Sequence, residues 1–452
     1  MKGNMTEGKP LPIMLKFMLP LFIGNAFQQV YNAVDSVIVG NYVGADALAA
    51  VGSTGTIMFL MNGLAMGLTT GFTVLVSQKF GEGDLEGTKK AAGNGAVLSI
   101  FVILVMTLIF SLCMRPLLTA MNTPANIYED AYSYISVICY GMVCLVGYNF
   151  LSSSLRAIGN SRVPLISLIV SACMNVVLDL WFIIGLHMGT AGAAWATVLS
   201  QGTSFLFCAI HIMRKEDAIR PSKKHFRLDR RFYLTQLRIG VPMSLQFGIT
   251  ASGTIIMQAA INLFGSVPVA AYAAVGKVHN IASMGMIAMG QTMATYAGQN
   301  FGARKPERIR DGVRKAVLVE IIYALATSAI LYFGMPVYIK WFFDASVDLT
   351  PILSYANTIV LAWGLFYVPL SLIFIFRNVM QGCGFGLLPM LGGVVELIAR
   401  LICAVAAMQT MQFVLAALCD PMAWLAAFLW TMICYFIVMK KVEKIMAKPL
   451  TA

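Results

Sequence analysis

PLFIGNAFQQVYNAVDSVIVGNYVGADALAAVG, residues 20–52, opens on a proline, runs through a long apolar stretch and closes on an alanine-rich end. Between Lys16 and Asp46 its only charge is Asp35. About twenty predominantly apolar residues suffice to cross a bilayer, and this stretch meets that length. A carboxylate inside such a segment is expensive, so Asp35 reads as a functional residue.

The whole chain has the same character. Of 452 residues 59% are hydrophobic and only 12% charged, about half the charge of a soluble domain. Hydropathy marks twelve spans: 12–40, 52–78, 92–114, 129–154, 163–186, 190–213, 236–264, 275–301, 316–335, 351–376, 387–410 and 413–439. The expected fold is therefore an all-α polytopic membrane protein. MKGNMTEGKP leads straight into the first span, with no cleavable leader pattern, so that span is expected to stay. The nine cysteines lie mostly within apolar segments and form neither a CxxC pair nor a metal-like pattern, which makes them reduced packing residues. No phosphate loop or nucleophile elbow is present, and the chain is not expected to be an enzyme.

A net charge of +12 would suit nucleic acid, but its distribution points to membrane topology. Twenty-eight of the 32 Lys and Arg fall in the tails and alternate connections, Lys2 and Lys448 among them. By the positive-inside rule both termini are cytoplasmic, in the plasma (inner) membrane. The basic stretch RKEDAIRPSKKHFRLDRR (214–231) becomes a cytoplasmic linker beside anionic lipid. No aromatic-interleaved platform accompanies it, so nucleic acid is not an expected partner.

The linker separates two sets of six spans that echo one another. Pro20 leads to GADALAAVG (44–52), and Pro242 leads to SVPVAAYAAVG (266–276). QKFGEGD (78–84) is matched by QNFGARK (299–305), and RAIGNSRVP (156–164) by QGCGFGLLP (381–389), the latter with an offset of 225 residues between Pro164 and Pro389. An N-lobe over 1–213, a linker over 214–235 and a C-lobe over 236–452 follow. Six spans per lobe give both lobes the same orientation, related by a pseudo-two-fold axis along the membrane normal. Repeats of this kind are the architecture of alternating-access transporters more often than of membrane enzymes or receptors.

Within the first span Asn25, Gln28, Asn32 and Asp35 are spaced 3, 4 and 3, one helical stripe, with Tyr31 a turn before Asp35. The fifth span adds Ser171, Asn175 and Asp179 at i, i+4 and i+8, and the sixth adds Thr197. Two acids in one dry lobe favour sharing a proton. A hard monovalent cation would equally find oxygen ligands in Asp35, Asp179, Asn175 and Thr197. The seventh span has Gln246, Thr250, Thr254, Gln258 and Asn262 every four residues but no acid. Glu396 and Arg400, at i and i+4 in the eleventh span, are read as a structural ion pair. Among the 29 methionines Met61 and Met286 sit near the middle of corresponding spans, and with Gln28, Asn32, Gln246 and Gln258 they are candidate cavity residues, since flexible thioethers suit a pocket for many shapes.

PLFIGNAFQQVYNAVDSVIVGNYVGADALAAVG, the QKFGEGD and QNFGARK ends, RAIGNSRVP, NVVLDLWFIIG (175–185) and GTAGAAWATVLSQ (189–201) together resemble the multidrug and toxic compound extrusion (MATE) family, in register over nearly the entire chain. The resemblance implies two six-helix lobes, a V-shaped central cavity, and export of cationic, amphipathic organic compounds in exchange for protons or sodium ions, with no cofactor. It matches Asp35, Asn175, Asp179 and Thr197 to a first-lobe cation site, with Tyr31 adjacent. It also marks a departure: some branches carry acids in spans seven and ten, and this chain has none there. The chain is expected to work as a monomer in the bilayer. The rival reading, a lipid-linked oligosaccharide or lipid flippase of the same superfamily, would want more spans and a cationic cavity.

Overall fold

The computed structural model describes residues 3–343 and 348–447; Lys2 and Lys448 lie outside the described residues. Every regular element among them is a helix. The chain divides into two compact units, one built on Leu19–Ser244 and the other on Thr6–Met18 with Leu245–Ala452. The first contains most of α1 (Pro10–Tyr42), then α2 (Ala45–Ser53), α3 (Gly55–Glu82), α4 (Leu85–Ala120), α5 (Tyr128–Tyr140), α6 (Met142–Ala157), α7 (Arg162–Asp179) and α8 (Gly189–Lys215). The second contains most of α9 (Arg230–Asn262), then α10 (Ser266–Gly302), α11 (Pro306–Tyr338), α12 (Thr350–Leu365), α13 (Tyr367–Gly382), α14 (Leu387–Thr410), α15 (Phe413–Ala417) and α16 (Cys419–Ala447).

Among the described residues nine helical stretches are long and apolar enough to span a bilayer, and two bent pairs, α5 with α6 (49°) and α12 with α13 (46°), make eleven. The remaining long helix is α10, whose 37 residues extend about 55 Å at 1.5 Å per residue. It fails on apolarity alone because it runs through protein rather than lipid. From Ser283 to Asn300 nearly every residue is buried, among them Thr292, Thr295, Gln299 and Asn300. A helix enclosed by its neighbours does not need a lipid-facing surface. The two bends also report the duplication. They fall at Gly141 and Phe366, separated by the same 225 residues as Pro164 and Pro389.

The boundaries differ from the division at 214–235. Helix α1 begins in the second unit and enters the first after Met18, one turn from Pro20, while α9 leaves the first unit after Ser244, one turn from Pro242. Proline removes a backbone donor and loosens the helix around it. The linker itself belongs to the first unit because α4 holds it. Asn94, fully buried on α4, donates to the His225 and Arg227 carbonyl oxygens and accepts from the Asp229 amide at 2.8 Å. His225 Nδ1 accepts from the Ser222 amide, which leaves Nε2 to donate to Glu86 at 2.9 Å. Lys89 meets Asp217 at 3.0 Å and Lys90 meets Asp229 at 2.6 Å. Where α9 follows, Gln236 donates to the Phe72 and Ala91 carbonyls, and a Cβ on Gly71 would stand 2.2 Å from the Gly240 Cα, so only glycine lets α3 and α9 approach this closely.

This clasp has a testable order of strengths. The Lys89 and Lys90 ammonium groups hold the Asp217 and Asp229 carboxyls below their ordinary range. A depressed carboxyl contributes above its unfolded value of about 4, and the contribution is lost as pH falls through the lower folded value. Amide hydrogen-exchange protection over 217–229, measured against the intrinsic rate at each pH, should therefore hold at neutral pH and fall only in acid. Asn94→Ala should lower it at every pH, because the substitution strands buried backbone groups at about 1–3 kcal/mol.

Candidate functional site in the first unit

The buried face of α7 is a polar ladder: Ser167, Ser171, Asn175 and Asp179, one residue per turn. Two hydroxyl bonds set its direction, Ser171 donating to the Ser200 carbonyl at 2.6 Å and Ser204 to the Ser167 carbonyl at 2.9 Å. These pin α7 to α8 and turn the ladder inward. Immediately after Asp179 the backbone widens into a π-helical turn, Leu180–Gly185, a deviation common at functional positions. On α1 the buried residues near the same level are Asp35, Ile38 and Val39.

Asp35 and Asp179 face each other within electrostatic range, and the hydroxyls of Tyr31 and Tyr134 converge on Thr197 beside them. Asn175 and Asp179 have no exposed surface. Neither amide atom of Asn175, neither oxygen of Asp179, nor Asp35 Oδ1 has a hydrogen-bond partner. Nearly all buried polar groups in proteins are satisfied, and each exception asks for a reason. Here the exceptions cluster at one point: two carboxyls, one amide and, next to them, a threonine and two tyrosine hydroxyls. Two unpaired carboxylates cannot both stay charged in such a place without several kcal/mol of cost. The set therefore suits one positive charge. A proton shared between the acids would supply it, and so would a hard cation taking the Asp35, Asp179, Asn175 and Thr197 oxygens. Among the described residues no group of three or more His, Cys, Asp or Glu is arranged for a metal ion, so any cation here would lean on neutral oxygens.

The other sequence candidates have different surroundings. Gln28 and Asn32 are exposed, while Asn25 Nδ2 is buried and unpartnered; the stripe on α1 is thus exposed in its middle and buried at Asp35. Met61 and Met286 have no exposed surface and sit within hydrophobic core clusters of the first and second units respectively. Gln246 is buried, 2.7 Å from Arg377 Nη1 in the amide orientation that satisfies the guanidinium and 3.1 Å from Gln381. Gln258 donates to Asn262 at 2.8 Å, and Thr250 and Thr254 bond their own backbone. The α9 ridge largely satisfies itself, unlike the first-unit acids.

Arg400 does bind Glu396, at 2.7 Å, but it also binds Asp420 of α16, at 2.9 Å. All three are at least 93% buried. Sequence reasoning overlooked Asp420, Glu320 and Tyr134. The first two carried the signal that singled out Asp35, an acid inside an apolar span; Tyr134, one of four tyrosines over 128–140, carried none.

Duplicated bundles of bilayer-length helices with an ion-sized polar cluster in their interior define a multi-pass membrane protein. The family model MatE matches residues 20–181 and 242–406, one segment in each half, and the chain belongs to that family of membrane transporters. It is 27% identical over 70% of both chains to "Probable multidrug resistance protein YoeA" of Bacillus subtilis, and 23% identical over 71% of both to "Multidrug export protein MepA" of Staphylococcus aureus. Its fold matches a crystal structure of MATE in the bent conformation with a TM-score of 0.91, at 22% identity over 99% of this chain and 100% of the other. It likewise matches a MOP superfamily transporter from Pyrococcus furiosus, with a TM-score of 0.86 at 22% identity over 99% and 98%.

Proposed function

We propose that the chain is a multidrug efflux antiporter that exports cationic, amphipathic organic compounds by alternating access, in exchange for protons or sodium ions taken up at Asp35, Asp179, Asn175 and Thr197. The observation that carries this reading is the cluster of buried, unpartnered oxygens on α1 and α7. A site that gains its missing positive charge on one side of the membrane and loses it on the other supports exchange. Tyr31 and Tyr134 position the Thr197 hydroxyl at its edge. The names of the relatives in Bacillus subtilis and Staphylococcus aureus support drug export. The Lys and Arg distribution supports cytoplasmic termini in a plasma membrane, and nothing in the site calls for a second subunit.

Ion and substrate would be linked. A bound ion that disfavours the organic cation must itself be disfavoured by that cation to the same degree. The test is efflux of a fluorescent organic cation from vesicles containing the purified protein, driven separately by an imposed pH gradient and an imposed sodium gradient. Efflux under one gradient names the coupling ion. Absence of efflux under both would overturn the reading and move the substrate toward a lipid-linked or anionic compound.

A further inference from the structure

Glu320 lies on α11, five residues or about one and a half turns beyond the charged run that ends at Lys315. It has no exposed surface, and neither carboxyl oxygen has a partner. It occupies the centre of the buried stripe Gly312, Ala316, Glu320 and Ala324. Two close approaches fix how α10 meets this stripe: Tyr296 fills the space beside Gly312, and Tyr323 the space beside Gly285. That antiparallel register brings the apolar turn of α10 around Met289 opposite Glu320.

No counterion is at hand. Lys315 is held by Asp311 at 2.6 Å on the surface. Among the described residues Tyr323 is the one titratable side chain in electrostatic range of Glu320, and its hydroxyl donates to the Ala282 carbonyl at 2.8 Å. The helices packed on α11, namely α10, α12, α13 and α16, bring no charged or titratable group to it among the described residues. The fold itself does not require an acid here. The corresponding position of the first half, 221 residues earlier as Gln78 precedes Gln299, is Ser99, whose hydroxyl is satisfied by the Gly95 carbonyl at 2.8 Å. An ionisable residue that is neither paired nor needed for packing is retained at a cost and points to function.

We propose that Glu320 is a proton-binding site in its own right, holding one proton in the second unit independently of Asp35 and Asp179. The ligand is a proton rather than a metal cation, because among the described residues no group of three or more His, Cys, Asp or Glu is arranged for a metal ion, whereas one proton neutralises the carboxyl outright. The site extends the coupling reading to the half of the chain that lacks acids in its seventh and tenth spans, and it stands whatever compound is exported.

The test is infrared spectroscopy of the purified full-length protein in lipid, wild type against Glu320→Gln, repeated in an Asp35→Asn, Asp179→Asn background. At neutral pH the wild type should show a protonated-carboxyl carbonyl stretch that Glu320→Gln lacks, and that band should persist in the double-Asn background. A carboxylate stretch in its place, or loss of the band in the double-Asn background, would overturn the site. Glu320→Leu supplies a second measurement that does not depend on Gln being accommodated. Its melting temperature should equal or exceed that of the wild type, and a lower one would reveal a structural partner and contradict the inference. Failure of gradient-driven efflux would leave these results unchanged, so the two readings fail separately.

Discussion

Arg400→Met destabilises the second unit by about 3–5 kcal/mol, the cost of stranding a buried acid by removing its partner. Arg400 stands between Glu396 and Asp420, at 2.7 and 2.9 Å, with all three side chains buried. Removing the guanidinium leaves two carboxylates facing each other with nothing between them. Met keeps the length and the apolar stem, so the loss reports charge rather than volume. Thermal unfolding in detergent checks it. Glu396→Gln and Asp420→Asn should each cost less than Arg400→Met, since the arginine then keeps one partner. Replacing all three with apolar residues should restore much of the loss, because a buried ionic cluster contributes little net stability over well-packed hydrophobes. A melting temperature for Arg400→Met equal to that of the wild type would remove the cluster from the account.

The second large effect belongs to the first unit. Asp35→Asn and Asp179→Asn each preserve shape and abolish titration, and each should reduce gradient-driven efflux by about 5–150-fold, the range that a coupling energy of 1–3 kcal/mol spans. Folding should survive, because the two carboxyls meet chiefly each other and no other group donates to Asp179 or to Asp35 Oδ1. This separates the pair from Arg400, where substitution acts on stability first. Thr197→Val and Tyr134→Phe remove hydroxyls at the edge of the site and should have smaller effects, on ion affinity rather than on the existence of coupling.

The fold was legible because two signals in the chain are long. Hydropathy extends over whole spans, and the echoes at Pro20 and Pro242, Gln78 and Gln299, and Pro164 and Pro389 extend over whole units. The bends at Gly141 and Phe366 repeat at the same interval, so even the local breaks follow the duplication. Less legible was where one unit ends. The linker composition suggested a basic connection beside lipid, yet Asn94 and Glu86 hold it through the backbone carbonyls of His225 and Arg227 and the ring of His225, bonds that depend on residues more than 120 positions away. Helix α10 shows the limit of hydropathy: its polar residues are allowed by enclosure, which no window average registers.

At the site, the i, i+4, i+8 spacing on α7 gave the ladder directly, since helical periodicity alone puts those side chains on one face. Periodicity does not say how deep a face lies. Gln28 shares the α1 stripe with Asp35 but is exposed, and Met61 and Met286 stand in the middle of their helices but inside the cores. Asp420 joins Arg400 from a helix twenty residues on, a tertiary contact with no local signature. Glu320 carried that same signal, an acid inside the span 316–335, but it stands only five residues after the charged run of 304–315, which masks it.

The most direct test of the exchange is binding of the organic cation to the detergent-purified protein, measured as protons and, separately, sodium ions are added. Affinity should fall as the coupling ion fills the Asp35–Asp179 site, and Asp35→Asn should remove this dependence. Affinity that stays constant under both ions in the wild type would contradict the exchange.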